Sequence, residues 1–172
     1  PRGPGIVGKK RSSPYAEQPA HIVISGLEIR NADPAFSFTD KDGKQTSWAE
    51  NAASVFVQRG SHVTIRGCEI HHNANGMFIG TTGGPELTED VLVEGNDIHA
   101  NGSETTYYQH NVYNEAARIT YQFNRFRPPR KGPQGILGAN IKERSAGVVI
   151  RYNWIEDGAH LIDLVDSQEA RD

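Results

Sequence analysis

The sequence has only one cysteine, Cys68, so no internal disulfide can form and cysteine pairing says nothing about the redox compartment. It also lacks any apolar run that approaches the length of a membrane span. Neither sign of charge forms a long block: 18 Lys and Arg are mixed with 21 Asp and Glu, for a net charge of −3. We therefore expect a solvated charged surface, no nucleic-acid partner and no membrane span.

The first residues lack an initiator methionine and the apolar core of a signal peptide. We therefore expect a processed chain, or a piece of a longer chain or assembly. Residues 1–20 contain four prolines and three glycines, a composition that predicts a lead-in segment or loop with a solvated basic run at residues 9–11. The remaining residues, 21–172, are predicted to form a single domain.

The most abundant feature is one eight-residue pattern of alternating apolar residues, which the chain contains five times. The copies are residues 22–29, 63–70, 91–98, 119–126 and 148–155. Their last residues are separated by steps of 41, 28, 28 and 29, and the long first step contains an insertion at residues 30–54. Such a fixed period indicates a repeat architecture.

A second short apolar run precedes each later copy, and a fifth run follows the last copy. These runs are residues 55–57, 77–79, 111–113, 140–142 and 161–164. Polar corners such as residues 72–76 and 156–158 separate the two kinds of run, and Asn and Gly at such corners tolerate left-handed backbone angles. Longer loops at residues 81–90, 102–109 and 128–138 are places where binding segments could extend from the repeats.

Two other folds are less consistent with this pattern. The runs are rich in Val and Ile and carry no helical period over two turns, which argues against helices. A sandwich of hairpins also has short strands and regular turns, but it does not predict the same residue column every 28 or 29 positions. A solenoid does, because each coil must present the same side chain to the next coil.

One column sharpens this interpretation, because it reads Leu27, Cys68, Asn96, Asn124 and Asn153. Three successive asparagines at one turn of a stack can form a ladder of amide hydrogen bonds along it. Such a ladder satisfies polar groups that water cannot reach. We predict a structural role for these asparagines.

The five copies, together with the Gly95-Asn96-Asp97-Ile98 form of the pattern, resemble the right-handed parallel β-helix superfamily and its pectate-lyase-like branch. The resemblance covers roughly residues 21–166. It implies an all-β fold, a right-handed parallel β-helix or solenoid of about five coils with 28–29 residues each. Five coils about 4.8 Å apart would form a stack on the order of 24 Å tall, whose open ends need caps, more coils or an end-to-end partner such as another copy. For this family we expect a secreted or periplasmic location.

The candidate site follows from aligning residues 111–126 with residues 140–155 without a gap. Alternation predicts Val112 and Ile141 inside the coil and polar side chains outside it. The predicted outer face carries Asn111, Tyr113, Glu115, Asn140, Lys142 and Arg144, with His110 and Asp163 beside them. Such a row suits an anionic polysaccharide, which needs charge-assisted hydrogen bonds along its length. An ion-pair ladder without function is the alternative for Lys142, Glu115 and Arg144.

Residues 142–145 and the run after them resemble the lysine-containing strand of the alginate lyase and chondroitinase B family. The resemblance implies Lys142 as the base of a β-elimination, an assisting arginine one coil later and a bound calcium ion. This chain has no arginine in residues 162–165, and Ile136 and Leu137 stand where the calcium-binding glutamates are expected. From the residues themselves, Lys142 or Tyr113 could act as the base and Arg144 could bind the carboxylate of a uronate.

Two further groups need an interpretation. His71 and His99 share a column that Arg127 and Glu156 continue, so we expect stacked, solvated histidines and no metal site. Asp163 and Asp166 could form the carboxylate pair of a glycoside hydrolase, whereas Asp157 is expected in a turn with Gly158.

Three functions therefore remain open, of which a polysaccharide lyase acting on a uronate-containing glycan is the first. A non-catalytic glycan-binding, adhesin-like or structural module is the second, and a glycoside hydrolase is the third. Fold alone does not decide among them.

Overall fold

Three parallel sheets build the molecule, of which a computed structural model describes residues 5–8, 18–81 and 87–166. Sheet A contains β1 (Gly5–Gly8), β6 (Ala53–Gln58), β9 (Asn75–Gly80), β12 (Val112–Asn114), β17 (Ile141–Glu143) and β20 (Ile162–Leu164). Sheet B contains β2 (Ala20–Ser25), β7 (Ser61–Arg66), β10 (Glu89–Glu94), β13 (Ala117–Gln122) and β18 (Val149–Arg151). Sheet C contains β3 (Glu28–Arg30), β8 (Glu69–His71), β11 (Asp97–His99), β14 (Arg125–Phe126) and β19 (Trp154–Ile155).

The chain visits sheets A, B and C in turn and then begins the next coil. Within the described residues this gives five coils, and β20 adds a further strand to sheet A. All neighbours in these sheets are parallel and in register, as in the column Val63, Val91 and Ile119. The predicted parallel β-helix is therefore confirmed, and the hairpin sandwich is excluded. No helix among the described residues is long and apolar enough to cross a membrane.

Antiparallel pairing occurs only outside the coils in the described part of the chain. The first insertion contains the hairpin of β4 (Ser37–Thr39) and β5 (Gln45–Ser47), and the loop after β14 contains β15 (Lys131–Gly132) and β16 (Gly135–Ile136). Strand β1 lies within the segment that was predicted as a lead-in or loop, and it pairs with β6. The basic run at residues 9–11 and residues 82–86 of the predicted loop 81–90 lie outside the described residues.

The core consists of the inward residues of the strands. On β7, Val63 and Ile65 are fully buried while His62 and Arg66 are exposed, which is the alternation expected for a strand with one face inside. The same columns continue through Ile119 and Tyr121 on β13. Branched side chains of neighbouring coils therefore pack directly on one another, which explains why Val and Ile dominate the repeat.

The predicted asparagine ladder is confirmed at the corner between sheets B and C. Asn96 Nδ2 donates to Asn124 Oδ1 at 2.9 Å, and Asn124 Nδ2 donates to Asn153 Oδ1 at 2.9 Å. The ladder reaches the preceding coil through Cys68 N, which donates to Asn96 Oδ1 at 2.9 Å. Each coil is thereby tied to the next one inside the corner, where water cannot compete.

The residue before each of these ladder positions has a left-handed backbone. It is glycine in the first three coils, Gly26, Gly67 and Gly95, with φ between 58° and 67°. In the last two coils it is Phe123, with φ 57°, and Tyr152, with φ 55°. A side chain in this conformation costs about 1 kcal/mol relative to glycine, and Phe123 and Tyr152 are two of ten described non-glycine residues that adopt it.

A carboxyl group lies inside the coil. The side chain of Glu143 is 2 % exposed, and its Oε1 accepts hydrogen bonds from Asn114 Nδ2 at 2.6 Å and from Ser145 N at 2.8 Å. Its Oε2 and the neighbouring Tyr121 hydroxyl are buried without a well-formed hydrogen bond to any described residue. Burial raises the pKa of Glu143, although the bonds from Ser145 and Asn114 oppose this rise.

Glu143→Gln is expected to stabilise the protein when the pH lies above the pKa of an unfolded glutamate, and not at acidic pH. Because the folded pKa of Glu143 is raised, its stabilising contribution is complete below the unfolded pKa and is lost as pH rises through the folded pKa. Glutamine keeps the acceptor for Asn114 and Ser145, offers a donor to Tyr121 and cannot ionise. At pH 8 we expect a gain of about 1 kcal/mol, or about 3 °C in Tm by calorimetry, and almost none at pH 4.

The matched control is Glu50→Gln, which alters an exposed carboxylate and should leave Tm unchanged at both pH values. An equal change in Tm at pH 4 and pH 8 for Glu143→Gln would contradict this account of the interior carboxyl group.

Candidate functional site

The outer face of sheet A carries one continuous column of side chains. The register places Phe56, Phe78, Tyr113, Lys142 and Asp163 on successive coils. The three aromatic rings stack, with centroids 5.2 Å apart for Phe56 and Phe78 and 4.9 Å apart for Phe78 and Tyr113. Val112 and Ile141 are fully buried, so the predicted inward and outward faces of β12 and β17 are confirmed at these positions.

Lys142 and Asp163 form an ion pair at the charged end of this column. Lys142 Nζ lies 2.5 Å from Asp163 Oδ2, and the two side chains are 20 % and 26 % exposed. The hydrogen bond from Lys142 lowers the pKa of Asp163, so the carboxylate is ionised at neutral pH. Lys142 is thus engaged as a hydrogen-bond donor to a carboxylate, whereas the role of general base that the sequence suggested for it requires a free amine.

Tyr113 is tied to Glu115 two residues further along the chain. The Tyr113 hydroxyl donates to Glu115 Oε1 at 2.9 Å. Burial raises the pKa of Tyr113 to about 12, helped by the charge of Glu115 and opposed by the nearby guanidinium of Arg144. At neutral pH Tyr113 therefore holds its proton and can donate it, and Arg144 stands on the same part of the face.

His110 lies behind this face and is only 6 % exposed. Its Nδ1 accepts a hydrogen bond from Ala139 N at 3.0 Å, which places the proton of the neutral ring on Nε2. Burial lowers the pKa of His110 to about 4, and the charge of Lys142 contributes. Its ring lies 6.0 Å from that of Tyr113. His110 is thus a neutral, fixed neighbour of the site at physiological pH.

The outward placement predicted for Asn111 and Asn140 is wrong, since both side chains are fully buried. They belong to a second ladder at the corner between sheets C and A. Asn73 Nδ2 donates to Asn101 Oδ1, Asn101 Nδ2 to Asn111 Oδ1, and Asn111 Nδ2 to Asn140 Oδ1, at 2.8, 2.9 and 2.6 Å. These amides hold coils together and cannot reach a glycan on the surface.

The stacked coils agree with the comparison of the sequence with protein families. Residues 15–171 match the family described as the right-handed beta helix region. The chain belongs to the right-handed β-helix family. No curated protein and no solved structure matches it significantly. Right-handed β-helix proteins include carbohydrate-active enzymes and other proteins, so the family fixes the fold and the reaction must be inferred from the site.

The β-helix also has a polar pocket that the sequence alone did not indicate. It encloses about 380 Å³ between the first insertion, the loop at residues 102–109 and Arg130. Asp33 and Arg130 pair across it at 2.8 Å, and Glu50, Glu104 and Gln109 also line it. Ala74, which belongs to the short corner of the second coil, also lines the pocket, between the longer loops. The loop lengths were the only sequence signal, because the pairing partners are 97 residues apart.

The histidine column of the β-helix is confirmed as a stack on sheet C. The rings of His71 and His99 are parallel with centroids 5.0 Å apart, and each Nε2 lies 3.2 Å from a glutamate of the preceding coil, Glu28 or Glu69. Arg127 continues the pattern through Asp97 at 2.8 Å. The stacking is thus as predicted, but the predicted solvation is wrong for His71, which is buried. The more exposed pair of Arg127 and Asp97 is of the kind that contributes little stability individually.

The residues present do not fit the calcium site that the lyase resemblance implies. Ile136 and Leu137 provide no carboxylate where that family has glutamates. Within the part of the chain that the structure describes, no three His, Cys, Asp or Glu side chains are grouped to hold a metal ion. Calcium prefers six or more oxygen ligands, so no step of a mechanism is assigned to it here.

The structure also locates Asp157, Asp163 and Asp166, the aspartates considered for a glycoside hydrolase. Asp157 Oδ1 accepts a hydrogen bond from Gly158 N at 2.8 Å, as expected for a turn. Asp163 is bound to Lys142, and Asp166 is exposed. The ionised Asp163 lacks the raised pKa that a general acid of a glycosidase needs.

Proposed function

We propose that the protein is a polysaccharide lyase that binds a uronate-containing glycan along the outer face of sheet A and cleaves it by β-elimination. The observation that carries the proposal is the single column of Tyr113, Lys142 and Asp163, with Glu115 and Arg144 alongside. It combines two cations with a proton-holding phenol on one flat, parallel surface. An extracellular or periplasmic location belongs to the same proposal.

The cations act on the carboxylate of the sugar. Arg144 binds it as a planar, bidentate donor, and the ammonium of Lys142 faces the same group as a point charge. Neutralising this carboxylate makes the proton on C5 more acidic, because the negative charge that develops on removal of the proton is stabilised. Asp163 orients Lys142 through their ion pair.

Tyr113 and Glu115 transfer the protons. Glu115 takes the C5 proton, the C4=C5 double bond forms as the C4–O bond breaks, and Tyr113 gives its proton to the leaving oxygen. The hydrogen bond between Glu115 and Tyr113 then returns the proton from the carboxyl group to the phenolate, which restores both residues. The raised pKa of Tyr113 supports the role of acid in place of the role of base considered from the sequence.

The test is an assay of alginate, pectate and chondroitin sulfate for the ultraviolet absorbance of an unsaturated uronate. We expect product from at least one polymer and a loss of about 10²-fold or more in kcat for Tyr113→Phe, which removes only the hydroxyl. Tyr108→Phe, an exposed tyrosine outside this face, is the control and should retain full activity. Absence of product from every acidic polymer would overturn the proposal.

A non-catalytic glycan-binding module is the second candidate. The observation in its favour is that Lys142 is already paired with Asp163, as in a structural ladder. Binding of an acidic glycan that Lys142→Ala weakens, without product from any polymer, is the result that this candidate predicts.

A further inference from the structure

A second surface of the β-helix has aromatic side chains where its repeats have glycine or charge. Phe123 and Tyr152 occupy the left-handed turn position that is glycine in the first three coils. Trp154 continues a column of sheet C that reads Glu28, Glu69, Asp97 and Arg125 in the earlier coils. We call Phe123, Tyr152 and Trp154 the aromatic corner.

The aromatic corner points to solvent. Phe123, Tyr152 and Trp154 are 59 %, 72 % and 69 % exposed. None of the three therefore contributes much to the core, and the coils that carry glycine or charge at these positions fold without them.

The three residues form one site. The rings of Phe123 and Tyr152 stack with their faces turned to each other, 5.3 Å apart and within 12° of parallel, so they form an aromatic strip across two coils. A shallow depression of about 520 Å³ is lined by this strip, Trp154, Asn124 and Arg125. The guanidinium carbon of Arg151 lies 5.8 Å from the centre of the Tyr152 ring. The site thus combines apolar ring faces with positive charge.

We propose that the aromatic corner binds a uronate-containing oligosaccharide. The C–H face of a sugar ring packs on the stacked rings, and the carboxylate of the sugar pairs with the guanidinium of Arg151. Within the described residues, the one hydrogen bond of this guanidinium runs from Nε to Gln122. Arg125 is engaged with Glu156 at 2.7 Å and contributes mainly shape. The aromatic corner shares no residue with the outer face of sheet A. This proposal rests on the proposed function only for the class of ligand, a uronate-containing glycan.

The repeat itself supplies the variants for the test. Phe123→Gly and Tyr152→Gly restore the residue that the first three coils have at this turn, so both variants should fold with unchanged or higher Tm. Trp154 reports binding by fluorescence once Trp48, the other tryptophan, is replaced by Phe. The probes are oligogalacturonate, oligoalginate and, as an uncharged control, a dextran oligosaccharide.

We expect a saturable change of Trp154 fluorescence with at least one acidic oligosaccharide and not with the dextran. Tyr152→Gly should weaken this binding by about tenfold, and Arg151→Gln should do the same, whereas Tyr108→Ala should leave it unchanged. No response to the acidic oligosaccharides, an equal response to the dextran, or unchanged affinity in Tyr152→Gly would overturn the proposal. The glycine variants could instead change the sedimentation coefficient without changing the affinity for glycan. That result would assign the surface to contacts between copies of the chain, and it would also overturn the proposal.

Failure here is distinguishable from failure of the proposed function. Tyr113→Phe leaves the Trp154 titration intact if the two sites are separate. A Trp154 response in a protein that never forms an unsaturated product would remove the lyase and keep this site.

Discussion

Lys142→Ala is expected to lower kcat/KM on the uronate polymer by about 10³-fold, while Lys142→Arg is expected to remain within about tenfold of the parent. The reason is that Lys142 is one half of an ion pair with Asp163, so its proposed role is to act on the substrate through its charge. A residue that acts through its charge can be replaced by arginine, whereas a general base cannot, because arginine does not lose its proton in proteins.

The measurement is steady-state kinetics of both variants on the polymer that gives product, with thermal unfolding to verify folding. Asp163→Asn is the matched variant of the partner, and it should weaken activity less than Lys142→Ala because the ammonium remains. If Lys142→Ala and Lys142→Arg were equally inactive, Lys142 would not act through its charge alone. That result would support Lys142 as the general base.

Asn124→Ala is expected to have the largest effect on stability, about 3–5 kcal/mol or roughly 10 °C in Tm. Asn124 Oδ1 accepts from Asn96 N and Asn96 Nδ2, and its Nδ2 donates to Val93 O and Asn153 Oδ1. Alanine therefore removes the side-chain acceptor of Asn96 N in the interior corner, and it takes one of two partners from Asn96 Nδ2 and from Asn153 Oδ1, which keep Ile65 O and Asn124 N.

Denaturant unfolding followed by circular dichroism measures this loss. Asn51→Ala, at an exposed position of the first insertion, is the control and should change stability by less than about 0.5 kcal/mol. A loss below about 1 kcal/mol in Asn124→Ala would show that the ladder is not a main source of cohesion between coils.

The fold could be predicted because a stacked coil repeats its own environment. Val63, Val91 and Ile119 occupy the same place on three coils, so the same kind of residue recurs at a fixed step. The second ladder escaped prediction because Asn101 and Asn111 are only 10 residues apart in the chain, across a loop, while their neighbours in the ladder are 28 or 29 apart.

The sequence predicted which residues of the candidate site lie side by side, but it did not predict their ion pairs and hydrogen bonds. Tyr113 and Lys142 lie side by side as the ungapped alignment indicated. Alternation failed for Asn111 because β12 begins only at Val112, so Asn111 belongs to a corner in which strand geometry does not apply. Spacing alone could not show that Lys142 contacts Asp163 or that Tyr113 is bound to Glu115, because these depend on side-chain conformation.

The two asparagine ladders have a consequence for how the molecule can change. They tie neighbouring coils together at two corners from the second coil onward, so a segment that leaves and re-enters at a ladder can vary in length without shifting the coils. The first insertion and the loops at residues 102–109 and 128–138 all leave the coils in this way, and they surround the pocket beside Arg130. Any one of these loops could therefore be replaced by a longer or shorter one while the coils remain as they are, and such a replacement would change the shape of the pocket beside Arg130.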